Sequence, residues 1–388
     1  MDYNFDQIIE RRGTDSTKFD SAVKRGRPAD VLPLWVADMD FPAPEPVLAA
    51  IQERVRHGIF GYTELGTAYF DALRHWFTGR FGYRFDPQWV TVTPGIVNAI
   101  CVALRAFTAP GDAVLIQEPV YHPFRRAVLA NGRKPAVNTL RFAAGNYAID
   151  FADFERQIAA QRVKLFLLCS PHNPVGRVWR EDELREMVRI CAKYDVLILS
   201  DEIHCDFVFP GYSHHILPAL VPHEAERMIL ATAPSKTFNL PGLQISNIFI
   251  SDDTLRQAFS REISASGLSS SNTLGLTACQ AAYSEGAPWL EALLTYLRGN
   301  MERIDSFLRA ELPLIRLIPP EGTYLAWLDC RRFELSPDAL DYKLLHEAGV
   351  WLNRGDLFGV SGAGFVRLNA ACPRAVLDEC LARMASVF

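Results

Sequence analysis

Between residues 90 and 250, short runs of consecutive apolar residues alternate with stretches of helical periodicity. No other feature of the 388-residue chain limits its fold so strongly. The apolar runs are Ala113–Gln117, Leu165–Cys169, Val196–Ser200, Met228–Ala231 and Ile245–Ile250. Several have no polar interruption, the pattern of strands buried on both faces of a largely parallel sheet. Between them the spacing predicts helices over Val97–Phe107, Pro123–Ala130, Phe151–Ala160 and Glu181–Lys193. The last opens on Glu181, Asp182 and Glu183, which suit the positive end of a helix, and Leu184, Met187, Val188 and Cys191 share one stripe. Alternation of this kind implies an α/β sandwich with the sheet in the middle.

The pattern changes after residue 286. A long helix is expected over Leu290–Leu312, then a strand at Thr323–Leu328, a helix near Pro337–Ala348 and a strand at Gly364–Asn369. That order suits a smaller α+β unit. The extended N-terminal stretch, with Pro28, Pro33, Pro42, Pro44 and Pro46, is expected to pack against it. The chain is long for one core, and the reading divides it into a large domain over 42–286 and a small domain formed by 1–41 and 287–388.

Composition mainly excludes. Apolar residues are 49% and charged residues 22%, close to globular averages, and the net charge of −5 offers no basic field for nucleic acid and no polybasic anchor for a membrane. The apolar runs fall far short of the roughly 20 residues that a spanning helix needs. Met1–Asp6 lacks a basic region followed by an apolar one, so no secretory signal is read. The eight cysteines form no C-x-x-C pair, which removes the usual zinc and dithiol signatures. They are expected to be reduced core thiols in a cytoplasmic setting, and no metal is expected.

The chemistry gathers at strand ends. Ala233-Pro234-Ser235-Lys236-Thr237-Phe238-Asn239 places a lysine just after an apolar strand, among hydroxyl and apolar neighbours. A lysine in such surroundings loses its proton readily, and the neutral amine attacks an aldehyde. Val196-Leu197-Ile198-Leu199-Ser200-Asp201-Glu202 is an apolar strand ending in acids, and ligands of open α/β sheets bind beyond the carboxyl ends of the strands. There Asp201 could hold the pyridine nitrogen of pyridoxal 5′-phosphate (PLP), while Glu202 would point elsewhere. Thr93-Pro94-Gly95-Ile96-Val97 is a strand-to-helix junction whose glycine and helix amides suit a phosphate. Asn173, in Ser170-Pro171-His172-Asn173-Pro174, is braced by two prolines and could donate to a ring oxygen. Tyr121, after Glu118-Pro119-Val120, could stack on a cofactor ring. Each feature alone has an ordinary reading as a turn, a cap or a surface charge. As a set along one sheet edge they have no core-packing explanation.

In the order Gly95, Tyr121, Asn173, Asp201, Lys236, Arg367 the chain resembles the class I/II aminotransferase superfamily of fold-type I PLP enzymes. More narrowly it resembles the MalY/PatB-type cystathionine β-lyases, or C–S lyases. The matching stretches are Trp35-Val36-Ala37-Asp38-Met39-Asp40-Phe41, Pro171-His172-Asn173-Pro174-Val175-Gly176, Ser200-Asp201-Glu202-Ile203-His204-Cys205-Asp206, Ala231-Thr232-Ala233-Pro234-Ser235-Lys236-Thr237-Phe238-Asn239-Leu240 and Arg367-Leu368-Asn369-Ala370-Ala371-Cys372-Pro373-Arg374. The resemblance implies an aspartate aminotransferase-like fold, with a large domain around a mostly parallel sheet and a smaller α+β domain. It makes Lys236 the Schiff-base lysine and general base, Asp201 the pyridinium partner, Asn173 the donor to the phenolate oxygen and Tyr121 the stacking aromatic. It gives the amides of Gly95, Ile96 and Val97, with Ser235, the phosphate, and places His204 at the cofactor. Ala37, Asn173 and Arg367 would bind an amino-acid substrate, with Arg367 clamping its carboxylate. Tyr62, in Phe60-Gly61-Tyr62-Thr63, would reach the phosphate of a neighbouring subunit, so a homodimer is implied.

Three positions depart from the aspartate-transaminase pattern. His204 stands where a tyrosine is usual, Gln244 where an arginine grips the phosphate, and Ala233 where a serine is common; Thr232, Ser235 and Tyr62 would compensate. These departures favour α,β-elimination from an S-substituted L-cysteine such as cystathionine. The competing readings are a transaminase on the same fold and a non-catalytic ligand sensor.

Overall fold

The structure, a computed structural model, describes residues 3–268 and 270–388, so the first two residues of the stretch read for a secretory signal lie outside it. The elements that build the larger layer are α1 (Thr67–Phe81), β1 (Val90–Thr93), α2 (Ile96–Phe107), β2 (Ala113–Glu118), α3 (Pro123–Ala130), β3 (Lys134–Thr139) and α4 (Phe151–Gln161). They continue with β4 (Leu165–Cys169), α5 (Glu181–Lys193), β5 (Leu197–Asp201), β6 (Met228–Thr232), the one-turn α6 (Pro234–Thr237) and β7 (Ser246–Phe249). The seven strands lie in the order β1-β7-β6-β5-β4-β2-β3. Neighbours from β6 to β3 are parallel, whereas β7 runs antiparallel to both β6 and β1. That reversal leaves β1 pointing the same way as β6, so the carboxyl ends of β1, β6, β5, β4 and β2 share one edge.

The uninterrupted apolar runs are explained by two-sided burial. In β4, Leu165, Leu167 and Cys169 face a core with Ile100 and Leu104 of α2, while Phe166 and Leu168 face another with Phe154 of α4 and Leu184 of α5. Alternate side chains leave opposite faces of a strand, so both faces must be apolar. Glu183 draws the amide of Arg180 at 2.9 Å, which uses one free donor at the start of α5.

The second layer holds α7 (Ala287–Glu311) against a four-stranded antiparallel sheet of β8 (Arg316–Leu317), β9 (Leu325–Asp329), β10 (Asn353–Arg354) and β11 (Phe365–Asn369), ordered β8-β9-β11-β10. Met301, Ile304 and Leu308 of α7 pack on Ala326, Leu328, Val366 and Leu368. Arg367, between Val366 and Leu368, therefore faces away from that core. Leu32–Pro33 pairs with Val350–Trp351, as expected of the N-terminal stretch, although Met39 and Phe41 pack beside Trp289 in a different cluster.

Several boundaries differ from the sequence reading. α7 begins three residues earlier, at Ala287. The strand expected from Thr323 begins at Leu325, because Thr323 has a positive φ of 68°. The helix expected over Pro337–Ala348 is α-helical only to Tyr342 and continues as a π turn over Lys343–Glu347. Among the described residues no helix is long and apolar enough to cross a membrane. All eight cysteines are free, and seven are buried.

Candidate active site

The sheet order sets the site. Along the shared edge stand Gly95 after β1, Lys236 after β6, Asp201 at the end of β5, Asn173 after β4 and Tyr121 after β2. Asp201 pairs in register with Cys169 on one side and Ala231 on the other.

Lys236 lies in α6, and its Nζ donates to the carbonyl of Ala37 at 2.6 Å. Burial is the largest influence on this amine and lowers its pKa to about 8; Arg367 lowers it further, and Asp38 and Asp201 oppose the shift. Asp201 moves the other way. Burial raises its carboxyl to about 7, Glu202 adds to the rise, and the amide of Ile203 (3.2 Å) and the charge of Lys236 oppose it. Both groups thus sit close to the point where a proton is exchanged near neutral pH, which suits acid–base work.

Arg367 reaches the same space from β11. Its Nη1 donates to Asn173 Oδ1 at 3.0 Å, and its Nη2 donates to the Trp35 carbonyl at 2.9 Å and to Asn353 Oδ1 at 2.6 Å. The guanidinium lies 4.8 Å from the centre of the Phe358 ring, and burial lowers its pKa to about 10. All of its hydrogen-bond partners are neutral, and its buried Nε has none. Tyr121 is tied in by its amide, which donates to the Asn173 carbonyl at 2.9 Å. His204 is buried with Nδ1 unpartnered; burial, Lys236 and Arg367 hold its pKa well below the ordinary value, so the ring is neutral.

The segment Trp35–Phe41 crosses the front of this cluster and is pinned carbonyl by carbonyl. Asn369 Nδ2 donates to Val36 and Asp38, and Asn239 Nδ2 donates to Met39 and Phe41. The Tyr324 hydroxyl donates to Ala37 at 3.0 Å. Asp38 and Asp40 are themselves held by Arg11 and by the fully buried Lys18.

Lys236, Asp201, Asn173, Tyr121, His204, Ala37 and Arg367 therefore meet in one place. Gly95, at the start of α2, has φ of 90°, a conformation in which glycine is free and other residues are strained; an added Cβ would meet only Gln244 Oε1, at 3.8 Å. The demand there is conformational rather than spatial. Ile96 and Val97 follow in the first turn of α2, and Ser235 is half-buried in α6. Tyr62 stands apart, 95% exposed on its own chain. Thr232 is buried in β6 with its hydroxyl turned to the Asn247 carbonyl at 3.4 Å, within the sheet, and Gln244 folds back on the Pro241 carbonyl. Sequence reasoning gave no role to Asp38, Asn353, Tyr324, Asn239 or Asn369. Asp38, Asn239 and Asn369 lie inside the motifs read from the chain, whereas Tyr324 and Asn353 had no local signal.

These groups fit PLP. A buried carboxyl with one amide donor can take a ring N–H, a half-buried lysine beside it can take the aldehyde carbon, and the buried His204 Nδ1 and Arg367 Nε have no hydrogen-bond partner in the protein.

The sequence profile of the family described as aminotransferase class I and II matches residues 29–384. The chain is 43% identical over 381 residues to cystathionine beta-lyase PatB of Bacillus subtilis (strain 168), covering 98% of each protein. The crystal structure of cystalysin from Treponema denticola, which contains a PLP cofactor, aligns with a TM-score of 0.95 at 35% identity, covering 100% of this chain and 99% of that one. The PLP-bound C-S lyase from Staphylococcus hominis aligns with a TM-score of 0.93 at 34% identity, covering 100% and 98%.

Proposed function

The chain belongs to the class I and II aminotransferase family, and from that premise we propose that it is a PLP-dependent carbon–sulfur β-lyase. It cleaves cystathionine or another S-substituted L-cysteine to a thiol, pyruvate and ammonia. The observation that carries this reading is a pair of cations with only neutral hydrogen-bond partners, the half-buried Lys236 and the buried Arg367, set beside the buried Asp201.

Lys236 would hold the cofactor covalently, and Asp201 would keep its ring nitrogen protonated. Asn173 and His204 would serve its ring oxygen, and Tyr121 would stack on its ring. The amides of Gly95, Ile96 and Val97, with Ser235, would take the phosphate. When bound, PLP supplies an electron sink that makes the α-proton of an amino acid removable.

The protein's own groups do the rest. Arg367 grips the substrate carboxylate, aided by Asn173 and the backbone at Ala37, and so fixes which bond at Cα faces Lys236. The freed amine of Lys236, with its pKa lowered by burial, takes the proton from Cα. The electron pair released there expels the thiolate from Cβ, and the aminoacrylate that is released takes up water to give pyruvate and ammonia. His204, Gln244 and Ala233 depart from the dicarboxylate-transaminase pattern, which supports elimination over amino exchange.

The unit is a homodimer in this reading. Ile59, Phe60 and Tyr62 are all exposed on one short segment, where a second copy would cover them and receive Tyr62 at its phosphate. The large domain is 42–286 and the small domain 1–41 with 287–388. Free, buried cysteines suit a cytoplasmic location.

The test is pyruvate release from L-cystathionine by the purified protein with PLP, run with and without an added keto acid. Pyruvate and a free thiol without the acceptor support the lyase. Amino exchange that depends on the keto acid, with no pyruvate, overturns it in favour of a transaminase.

A further inference from the structure

Two buried carboxylates stand behind the site and take no part in the chemistry above. Glu202 accepts from Ser200 Oγ at 2.9 Å, His214 Nε2 at 2.7 Å and the Leu217 amide at 3.0 Å, and so anchors the end of β5. Asp206 has a different reach. Its Oδ2 accepts from Thr237 Oγ1 at 2.7 Å, and its Oδ1 accepts from Trp76 Nε1 at 3.1 Å and lies 3.3 Å from Arg80 Nε. Trp76 and Arg80 belong to α1, and Thr237 is the residue after Lys236.

The four residues of α6 are too few to hold a helical turn by themselves, since the first turn fixes several dihedrals for one hydrogen bond. Whatever keeps Lys236 in place must come from outside the turn. Thr237 is buried, and its hydroxyl has one acceptor, Asp206. A carboxylate is costly to bury unless its lone pairs are used, and here they join α1 to α6.

We propose that Asp206 is a positioning residue for Lys236: through Thr237 it fixes α6 against α1 and so holds the lysine amine on the Ala37 carbonyl. The proposal rests on the reading of Lys236 as the residue that holds the cofactor. Arg80 completes the support from the outer side, since it pairs with Asp206 and also with Glu291 at 2.8 Å on the wall of a cavity of about 610 Å³. The groups that face the amine itself are Asp38, Asp201, His204 and Arg367, and none of them bonds to the Thr237 hydroxyl.

The experiment compares full-length Thr237→Val, Thr237→Ser and Asp206→Asn with the parent after PLP has been removed. Labelling of Lys236 by formaldehyde with borohydride is followed by mass spectrometry across pH, and uptake of PLP is timed separately. In the parent the labelling midpoint is expected at about 8. In Thr237→Val it moves towards the ordinary lysine value of 10.5, because the amine is no longer held in its buried place. PLP uptake near neutral pH slows roughly tenfold, the effect of losing one hydrogen bond to a carboxylate. Thr237→Ser restores both, and Asp206→Asn reproduces the Val variant. A Val variant with the parent's labelling profile and uptake overturns the proposal, and so does a Ser variant as impaired as Val; this pair decides even where Asp206→Asn does not fold. Turnover by Lys236→Ala would instead overturn the reading of Lys236, an outcome seen without any change at Thr237.

Discussion

Two pairs of buried cations in this molecule are treated in opposite ways. Lys18, with no exposed side-chain surface, donates to Asp40 at 2.7 Å and lies 3.8 Å from Asp38; Arg177 is locked to Glu183 at 2.9 Å and to Glu321 at 2.8 Å. The buried Arg367 and the half-buried Lys236 instead bond to carbonyl and amide oxygens. In the first pair the positive charge is spent on structure. Lys18 braces the Trp35–Phe41 segment, and Arg177 ties the loop after β4 to the approach to β9. In the second pair the charge is left for something else to answer. Withdrawing a cation from water with no anion bonded to it is unfavourable, so a fold that does this twice at one site has set aside positive potential for a ligand.

The sharpest way to break the comparison is to remove one member from each side. Lys236→Ala should lower pyruvate release by at least about 10³-fold, while its thermal midpoint stays at or above that of the parent, because an unpaired buried cation is gone. Lys18→Met should do the reverse. It leaves Asp40 short of a partner and costs about 3 kcal/mol in chemical unfolding, with turnover per folded molecule retained. Arg367→Lys sharpens the contrast. A single ammonium cannot form the paired bonds of a guanidinium, and kcat/KM should fall roughly 10- to 100-fold, mostly through KM. The smallest effect is on pH. Lys236 is lowered to about 8, and only the neutral amine attacks an aldehyde, so PLP uptake by the stripped protein should slow as pH falls through that value. From pH 8 to pH 7 the neutral fraction drops about fivefold, and uptake should follow it. Uptake indifferent to pH over this range would show that another step limits loading.

Much of this was legible before any coordinate was known, for local reasons. Leu165–Cys169 and Glu181–Lys193 match the elements read from the chain, because two-sided burial and a helical stripe are written in consecutive residues. Asp201 and Lys236 stood out because each ends or follows such a run. The direction of Ser246–Phe249 was not legible, since an antiparallel strand buried on both faces reads like a parallel one. Thr232 was assigned by resemblance to the phosphate, yet the pleat turns its hydroxyl to Asn247. Tyr324 reaches Ala37 from 287 positions away, and nothing near it in the chain announces that contact.

The sequence by itself determined the class of fold, the family and the residues that meet at the sheet's carboxyl edge, because periodicity, strand ends and ordered motifs depend on near neighbours. Only the tertiary structure decided which buried charges are paired and which are held open. Lys236 meets Ala37 across 199 positions and Arg367 meets Trp35 across 332. The state of a buried charge depends on what surrounds it in space, and that is settled only when distant segments are packed together.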